Sequence, residues 1–203
     1  DWLLVKEEFS SVDWRQSLHG IDAVVYLAAR VHVMNDAEAD PLTEFRRINT
    51  AATLNLAQQA ADTGVRRFIY LSSVKVNGEQ TSLDKAFTAD DTPAPEDAYG
   101  VSKWEAEQGL QQLAAETGME VVCIRPPLVY GAGVKGNFLS LLQWLARGIP
   151  LPLGLIHNRR SLIGIDNLVD LIITCIDHPA AANQTFLASD DEDLSTTELL
   201  QRL

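Results

Sequence analysis

Tyr99 and Lys103 stand four residues apart, in Tyr99-Gly100-Val101-Ser102-Lys103, and residues at that spacing share one face of a helix. A free phenol titrates near ~10, too high for a base at neutral pH, and an ammonium held beside it favours the phenolate and lowers that value. Ser73 closes the run Phe68-Ile69-Tyr70-Leu71-Ser72-Ser73 and adds a hydroxyl that donates and accepts at once. The three groups suit proton transfer at a hydroxyl or carbonyl: Ser73 orients, Tyr99 transfers and Lys103 tunes. Tyr-x-x-x-Lys alone is a weak signal. Here only Tyr99 of the four tyrosines has Lys at that offset, and it follows a strand ending in Ser-Ser by a long loop.

Positioning these groups requires a strand before Ser73 and a helix under Tyr99. The apolar run 68–71 is such a strand, and the helix runs from about Asp97 through Trp104, Leu110 and Leu113 to Gly118. Between them the polar stretch 74–98, with Asp90-Asp91-Thr92-Pro93-Ala94-Pro95, is long enough to be functional and is expected to form a substrate-side rim. Upstream, residues 21–27 are a continuous apolar run, as in a strand buried on both faces of a parallel sheet, and end in Ala28-Ala29. Leu42, Phe45, Ile48, Leu54, Leu56 and Ala60 recur at helical spacing up to Gly64, with Asn49 inside the pattern. His32, on the loop before it, is given no role.

Downstream the reading is a strand over 120–125 followed by Pro126-Pro127. A helix opened by Asn137 and closed by Arg147-Gly148 follows, then a helix over 165–176, a strand over 184–188 and a last helix begun by Ser195-Thr196-Thr197-Glu198. In residues 1–20, a short strand at 2–5 and a helical turn at 12–18 before Gly20 are expected. Alternating strands and helices specify an α/β chain with a doubly wound parallel sheet. Residues 1–130 read as a partial dinucleotide-binding domain and 131–203 as a substrate-binding part interleaved with late elements of the sheet.

Sixteen basic and 28 acidic residues give a net charge of −12, which repels phosphate backbones and argues against nucleic acid as a partner. Cys123 and Cys175 lack metal-ligand spacing and suit a reducing compartment. No apolar stretch reaches the ~20 residues of a membrane span, so no membrane is expected and the location read is the cytoplasm. Gly131-Ala132-Gly133-Val134-Lys135-Gly136 matches Gly-x-Gly-x-x-Gly but is rejected as a dinucleotide fingerprint. The glycines are read as separated from their strand by two prolines and further residues, and no acidic residue follows near ~20 positions on. It reads instead as a substrate-side loop.

The Ser73, Tyr99 and Lys103 order and context resembles the extended short-chain dehydrogenase/reductase family, in particular its nucleotide-sugar epimerases and dehydratases, over nearly the whole chain. The resemblance implies NAD as cofactor, NADP being the alternative, and a nucleoside-diphosphate sugar as substrate. It also implies a homodimer. It assigns Ala28, Ala29 and Arg30 at a strand end, Asn49, Pro126 and Pro127, together with Tyr99 and Lys103, to the cofactor. Ser73, Asn137 and Arg160 are assigned to the substrate, the last two to its diphosphate. The sequence reads Asn49-Thr50-Ala51-Ala52-Thr53 where the family often has Asn-x-x-Gly-Thr, and Leu128 where epimerases often have Asn.

The activity implied is 4-epimerisation of a UDP-sugar by hydride transfer through a 4-keto intermediate. A 4-keto sugar-nucleotide reductase and a non-catalytic dinucleotide sensor are the alternatives. Dehydratases place Asp-Glu directly after the catalytic Ser or Thr, where this chain has Val74-Lys75, so no 4,6-dehydration is expected. The first clear strand corresponds to the fourth of the family's sheet, so the chain is expected to be part of a longer one. Its sheet should lack the first strands, and the adenosine half of the cofactor site should be open.

Overall fold

The computed structural model describes residues 5, 8–31, 40–82, 85–134, 136–147 and 158–203. The chain divides into two compact units, Asp1–Arg125 with Ile172–Leu187, and Pro126–Leu171 with Ala188–Leu203. The strand expected at 2–5 falls almost wholly outside the described residues.

In the first unit, helix α1 (Arg15–Leu18) precedes strand β1 (Ala23–Tyr26). Helix α2 (Pro41–Phe45), a π-helical turn (Arg46–Ala51) and helix α3 (Ala52–Asp62) then lead to strand β2 (Arg67–Leu71). A 3-10 turn (Val74–Val76), helix α4 (Ala98–Thr117) and strand β3 (Glu120–Arg125) follow. The unit is completed by strand β6 (Thr185–Leu187). The sheet is parallel throughout, in the order β1-β2-β3-β6. Tyr26 lies beside Tyr70 and Leu71 beside Ile124, so the strands end together at one edge.

The central strands are buried on both faces. Phe68, Tyr70, Val121 and Cys123 pack with Ala57 and Ala60 of α3 and Ala106, Leu110 and Leu113 of α4. The alternate residues Ile69, Val122 and Ile124 are equally buried. This double burial is why these strands read as unbroken apolar runs. On the second face Arg67, 1% exposed, donates to the backbone carbonyls of Cys175, Ile176 and His178, at the end of the helix before β6. Helix α4 starts on the side chain of Asp97, which accepts from the Gly100 N–H at 2.6 Å, and stops at Gly118 in the left-handed conformation. The single helix expected over 41–64 is instead broken by the π-helical turn at Asn49, and its partners at the site explain why.

The second unit contains a two-stranded parallel sheet of β4 (Leu128–Tyr130) and β5 (Leu162–Gly164). Helix α5 (Gly136–Ala146), the start of α6 (Ile165–Asp177) and helix α7 (Thr196–Arg202) also lie in it. Neither three-residue strand has enough sequence period to be read in advance. Asp190 ties the unit together: its carboxylate accepts from the Tyr130 hydroxyl at 2.8 Å, the Gly164 N–H at 2.9 Å and the Asn167 amide at 2.8 Å. Ser195 and Glu198 form the expected capping box. One expectation is corrected. β4 runs directly into Gly131, and α5 begins at Gly136, so the glycine pattern does lie between a strand and a helix. Among the described residues β4 pairs with β5 and not with the four-stranded sheet, so the loop still does not follow a strand of that sheet.

Arg125, 2% exposed, makes bidentate bonds of 3.0 and 2.6 Å to Glu107, which is fully buried, and a further bond of 3.0 Å to the Asn77 side chain. Removing one partner of a buried pair leaves the other charge uncompensated, at a cost of about 3–5 kcal/mol. Glu107→Gln is therefore expected to destabilise the protein by that order in urea unfolding, and the double change Glu107→Met with Arg125→Met to recover much of the loss. A Glu107→Gln protein as stable as the parent would show that the pair does not carry this burial.

Candidate active site

The site is built at the edge where β1 and β2 end. The Ser72 N–H donates to Ile124 O at 2.7 Å, so the pairing with β3 continues one residue past β2 and Ser73 follows it. Ser73 is extended and caps the 3-10 turn, its hydroxyl accepting from the Lys75 N–H at 3.2 Å. Tyr99 and Lys103 are on the face of α4 that meets β2. The Ser73 hydroxyl favours the ionised form of the Tyr99 phenol. The Lys103 ammonium donates to Leu71 O at 2.7 Å and lies 4.4 Å from the centre of the Tyr70 ring and 6.0 Å from that of Tyr99.

Gly100 is required here by close approach. A Cβ at this position would come within 2.8 Å of the Lys75 carbonyl oxygen, so α4 can begin against the turn after β2 only if this residue has no side chain. Phe45, at the end of α2, meets the Tyr99 ring edge-on at 6.1 Å and carries the Arg30 guanidinium over its own face at 5.6 Å.

Burial raises the Tyr99 phenol above its ordinary pKa. Ser73 and Lys75 pull it back, while Asp97 pushes it up. The Lys103 ammonium, expected to lower it, faces the Leu71 carbonyl and the Tyr70 ring 6.0 Å from the centre of the Tyr99 ring, and Lys75 is a further cation that favours the phenolate. Burial brings Lys103 itself down to about 8, with Glu107 one helical turn on opposing the shift.

Ala28 is exposed and Ala29 half-buried just beyond β1. The resemblance assigns Asn49 to the cofactor, and in the structure its side chain turns to the loop after β1 and to α4. It is fully buried; its amide nitrogen donates to Arg30 O and to the Ser102 hydroxyl, both at 3.0 Å, and its oxygen accepts from the Arg30 N–H at 2.7 Å. With both donors used, Asn49 positions the loop after β1 against α4. Ser102 in turn donates to Tyr99 O at 2.8 Å, and the Thr50 hydroxyl to Ser102 O at 2.9 Å. The π-helical turn is what directs Asn49 and Thr50 at α4; such turns recur at functional sites. Sequence reasoning missed Ser102, although its place three residues after Tyr99, on the helix stripe of Ala106, Leu110 and Leu113, put a hydroxyl in a core position that needs a partner.

Ser73, Tyr99, Lys103, Ala28, Ala29, Arg30 and Asn49 thus belong to the first unit. Pro126, buried, and Pro127, half-buried, directly follow β3 and belong to the second. So do Asn137 and Arg160. The Asn137 side chain lies outside the described residues. Arg160 is exposed and its backbone pairs with Leu194.

The first-unit residues fit a nicotinamide dinucleotide. Lys103 spends one of its three N–H donors on Leu71. The Ser72 hydroxyl and the Tyr70 hydroxyl are buried without a partner, and the alanines leave the exit of β1 free of bulk.

The depressed pKa of Lys103 has a signed consequence for stability. Between about 8 and its ordinary 10.5 the unfolded chain binds a proton that the folded chain does not, so this group makes stability rise with pH across that window, by on the order of 3 kcal/mol. Below it both forms are protonated and the full cost is present. Lys103→Met is expected to flatten the rise in denaturant titrations on either side of the window. Parallel pH dependences for the two proteins would contradict this burial of charge.

The NAD dependent epimerase/dehydratase family model matches residues 9–188. The UDP-glucose 4-epimerase of Vibrio cholerae is 57% identical over 195 residues, an alignment taking in 96% of this chain and 60% of that protein. The structure of MoeE5 in complex with UDP-glucuronic acid and NAD superposes with a TM-score of 0.80 at 26% identity, over 96% of this chain and 65% of that one. The UDP-glucuronic acid 4-epimerase from Bacillus cereus in complex with NAD gives 0.84 at 21% identity, over 98% of this chain and 64% of that one, a likeness of fold. The chain therefore spans less than two thirds of the length of each of these proteins. With its parallel sheet flanked by helices and a family match over most of its length, the chain belongs to the NAD dependent epimerase/dehydratase family.

Proposed function

We propose that the whole protein is an NAD(P)-dependent 4-epimerase of a nucleoside-diphosphate sugar, with a UDP-hexose as substrate. The observation that carries the reading is the phenol of Tyr99 beside the Ser73 hydroxyl, with a buried ammonium one helical turn on. The identity to the Vibrio cholerae enzyme supports the choice of substrate. When bound, the dinucleotide would supply the hydride acceptor and donor that inversion at a sugar carbon requires. Ala28, Ala29 and Arg30 would line it, Lys103 would hold its nicotinamide ribose, and Pro126 and Pro127 would lie against it.

The chain's own contribution is proton chemistry. One lone pair of Ser73 is taken by the Lys75 N–H, which leaves its O–H to hold the sugar oxygen. Tyr99 takes the proton of the sugar hydroxyl and returns it when the configuration has changed. Arg160, whose planar fork suits a diphosphate, and Asn137 are assigned to the nucleotide end. A homodimer in the cytoplasm goes with this reading; among the described residues no helix is long and apolar enough to cross a membrane, and both cysteines are free and buried.

In the full-length protein Tyr99→Phe is expected to lower the interconversion of UDP-glucose and UDP-galactose by roughly 10²–10⁴-fold, followed by coupled assay. Undiminished turnover would remove the assignment. The positions after Ser73 hold Val74, which cannot transfer a proton, and Lys75, whose ammonium is paired with Asp97 and Glu79. No 4-keto-6-deoxy product should therefore form from UDP- or dTDP-hexoses, and its appearance by mass spectrometry would contradict this.

A further inference from the structure

Lys75 is a residue to which neither the family resemblance nor the catalytic scheme gives a task, yet it touches both Ser73 and the helix start that carries Tyr99. Its backbone N–H holds the Ser73 hydroxyl at 3.2 Å. Its ammonium lies 2.9 Å from the Asp97 carboxylate, and the other Asp97 oxygen caps α4 through the Gly100 N–H at 2.6 Å. Glu79 also pairs with the ammonium. The Lys75 carbonyl is the atom against which Gly100 packs. One residue therefore joins the strand exit that carries Ser73 to the helix start that carries Tyr99.

We propose that Lys75 is a positioning residue for the Ser73–Tyr99 pair, fixing the serine hydroxyl through its backbone and, through its ion pair with Asp97, the separation and charge environment of the phenol. The proposal rests on Tyr99 being the proton-transfer group. Among the described residues, the charged and titratable groups around the phenol are Asp97 and Lys103 from α4, Lys75 from the 3-10 turn with its partner Glu79, Tyr70 from β2, and Arg30 across the Phe45 ring. Lys75 and Asp97 act on it in opposite senses, the cation favouring the phenolate and the carboxylate opposing it. The side chains in the pair are 39% and 34% exposed, so it adds little to stability, and its effect should appear in the chemistry rather than in folding.

The test compares Lys75→Met, Lys75→Arg, Asp97→Asn, Tyr99→Phe and, as a control, Lys85→Met in the full-length protein. Lys85 pairs with Asp91 at 2.8 Å, 60% exposed, on the same loop. Asparagine still caps a helix, so Asp97→Asn removes the charge and keeps the Gly100 bond. Lys75→Met is expected to lower kcat roughly tenfold with KM within about twofold. The acidic limb of its pH profile should move up by roughly half a unit to one unit, because a base that needs more alkali to ionise has lost its cation. Asp97→Asn should move the limb down, Lys75→Arg should restore it and Lys85→Met should leave it in place. The same directions should appear in the ultraviolet titration of the phenol, taken as the difference from Tyr99→Phe. An unmoved limb in Lys75→Met, or a shift in the same direction in Lys75→Met and Asp97→Asn, overturns this proposal while an inactive Tyr99→Phe leaves the wider reading standing. A fully active Tyr99→Phe overturns both.

Discussion

The site depends on a helix whose buried face carries full charges. Lys103 and Glu107, one turn apart on α4, are at most 1% exposed, and Arg125 closes the set from β3. An apolar helix face can slide or roll by a fraction of a turn at small cost, because one methyl contact replaces another. A face bearing an ammonium satisfied by the Leu71 carbonyl and a carboxylate satisfied by a guanidinium cannot: any other register would leave a charge unpaired in a low-dielectric interior. The position of α4 against β2 and β3 is thus set by electrostatics more sharply than hydrophobic packing alone would set it. Tyr99, on the first turn of that helix, inherits this precision.

The first turn needs its own anchor, since helix ends fray. Asp97 supplies it by capping, Gly100 by permitting contact with the turn after β2, and Ser102 by bonding to Asn49. The loop beyond β1 is fixed by the same amide, which bonds both backbone groups of Arg30. Two strand ends, a loop and a helix start are brought to one place by a few hydrogen bonds, each made by a side chain of modest size.

Much of this was legible in the sequence, for identifiable reasons. β2 and β3 announce themselves because double burial demands apolar residues through their middles, and α4 because Asp97 and Gly118 mark its ends. The trio was legible because its chemistry restricts residue types at a fixed spacing. The partners of Asn49 were not: an amide inside a helical pattern leaves no sign of which groups it will bond. The strands β4 and β5 are three residues long, too short for any period to show. Lys75 was read only as the absence of a dehydratase acid, since an ion pair across 22 positions leaves no local trace. The action of Lys75 on Tyr99 depends on where a flexible ammonium group comes to rest, which spacing cannot report.

The π-helical turn of Arg46–Ala51 has a bearing on how such chains are compared with one another. A residue inserted into a helix rotates everything after it by roughly 100° about the axis; before the turn Phe45 meets Tyr99, and after it Ala57 and Ala60 pack in the core beside the sheet. Two sequences, one with the turn and one without, would align well on either side of Asn49 and disagree by one position through it. A gap placed by residue similarity alone would then put the wrong side chain opposite Arg30. In this stretch the backbone hydrogen bonds, and not the letters, are the reliable ruler.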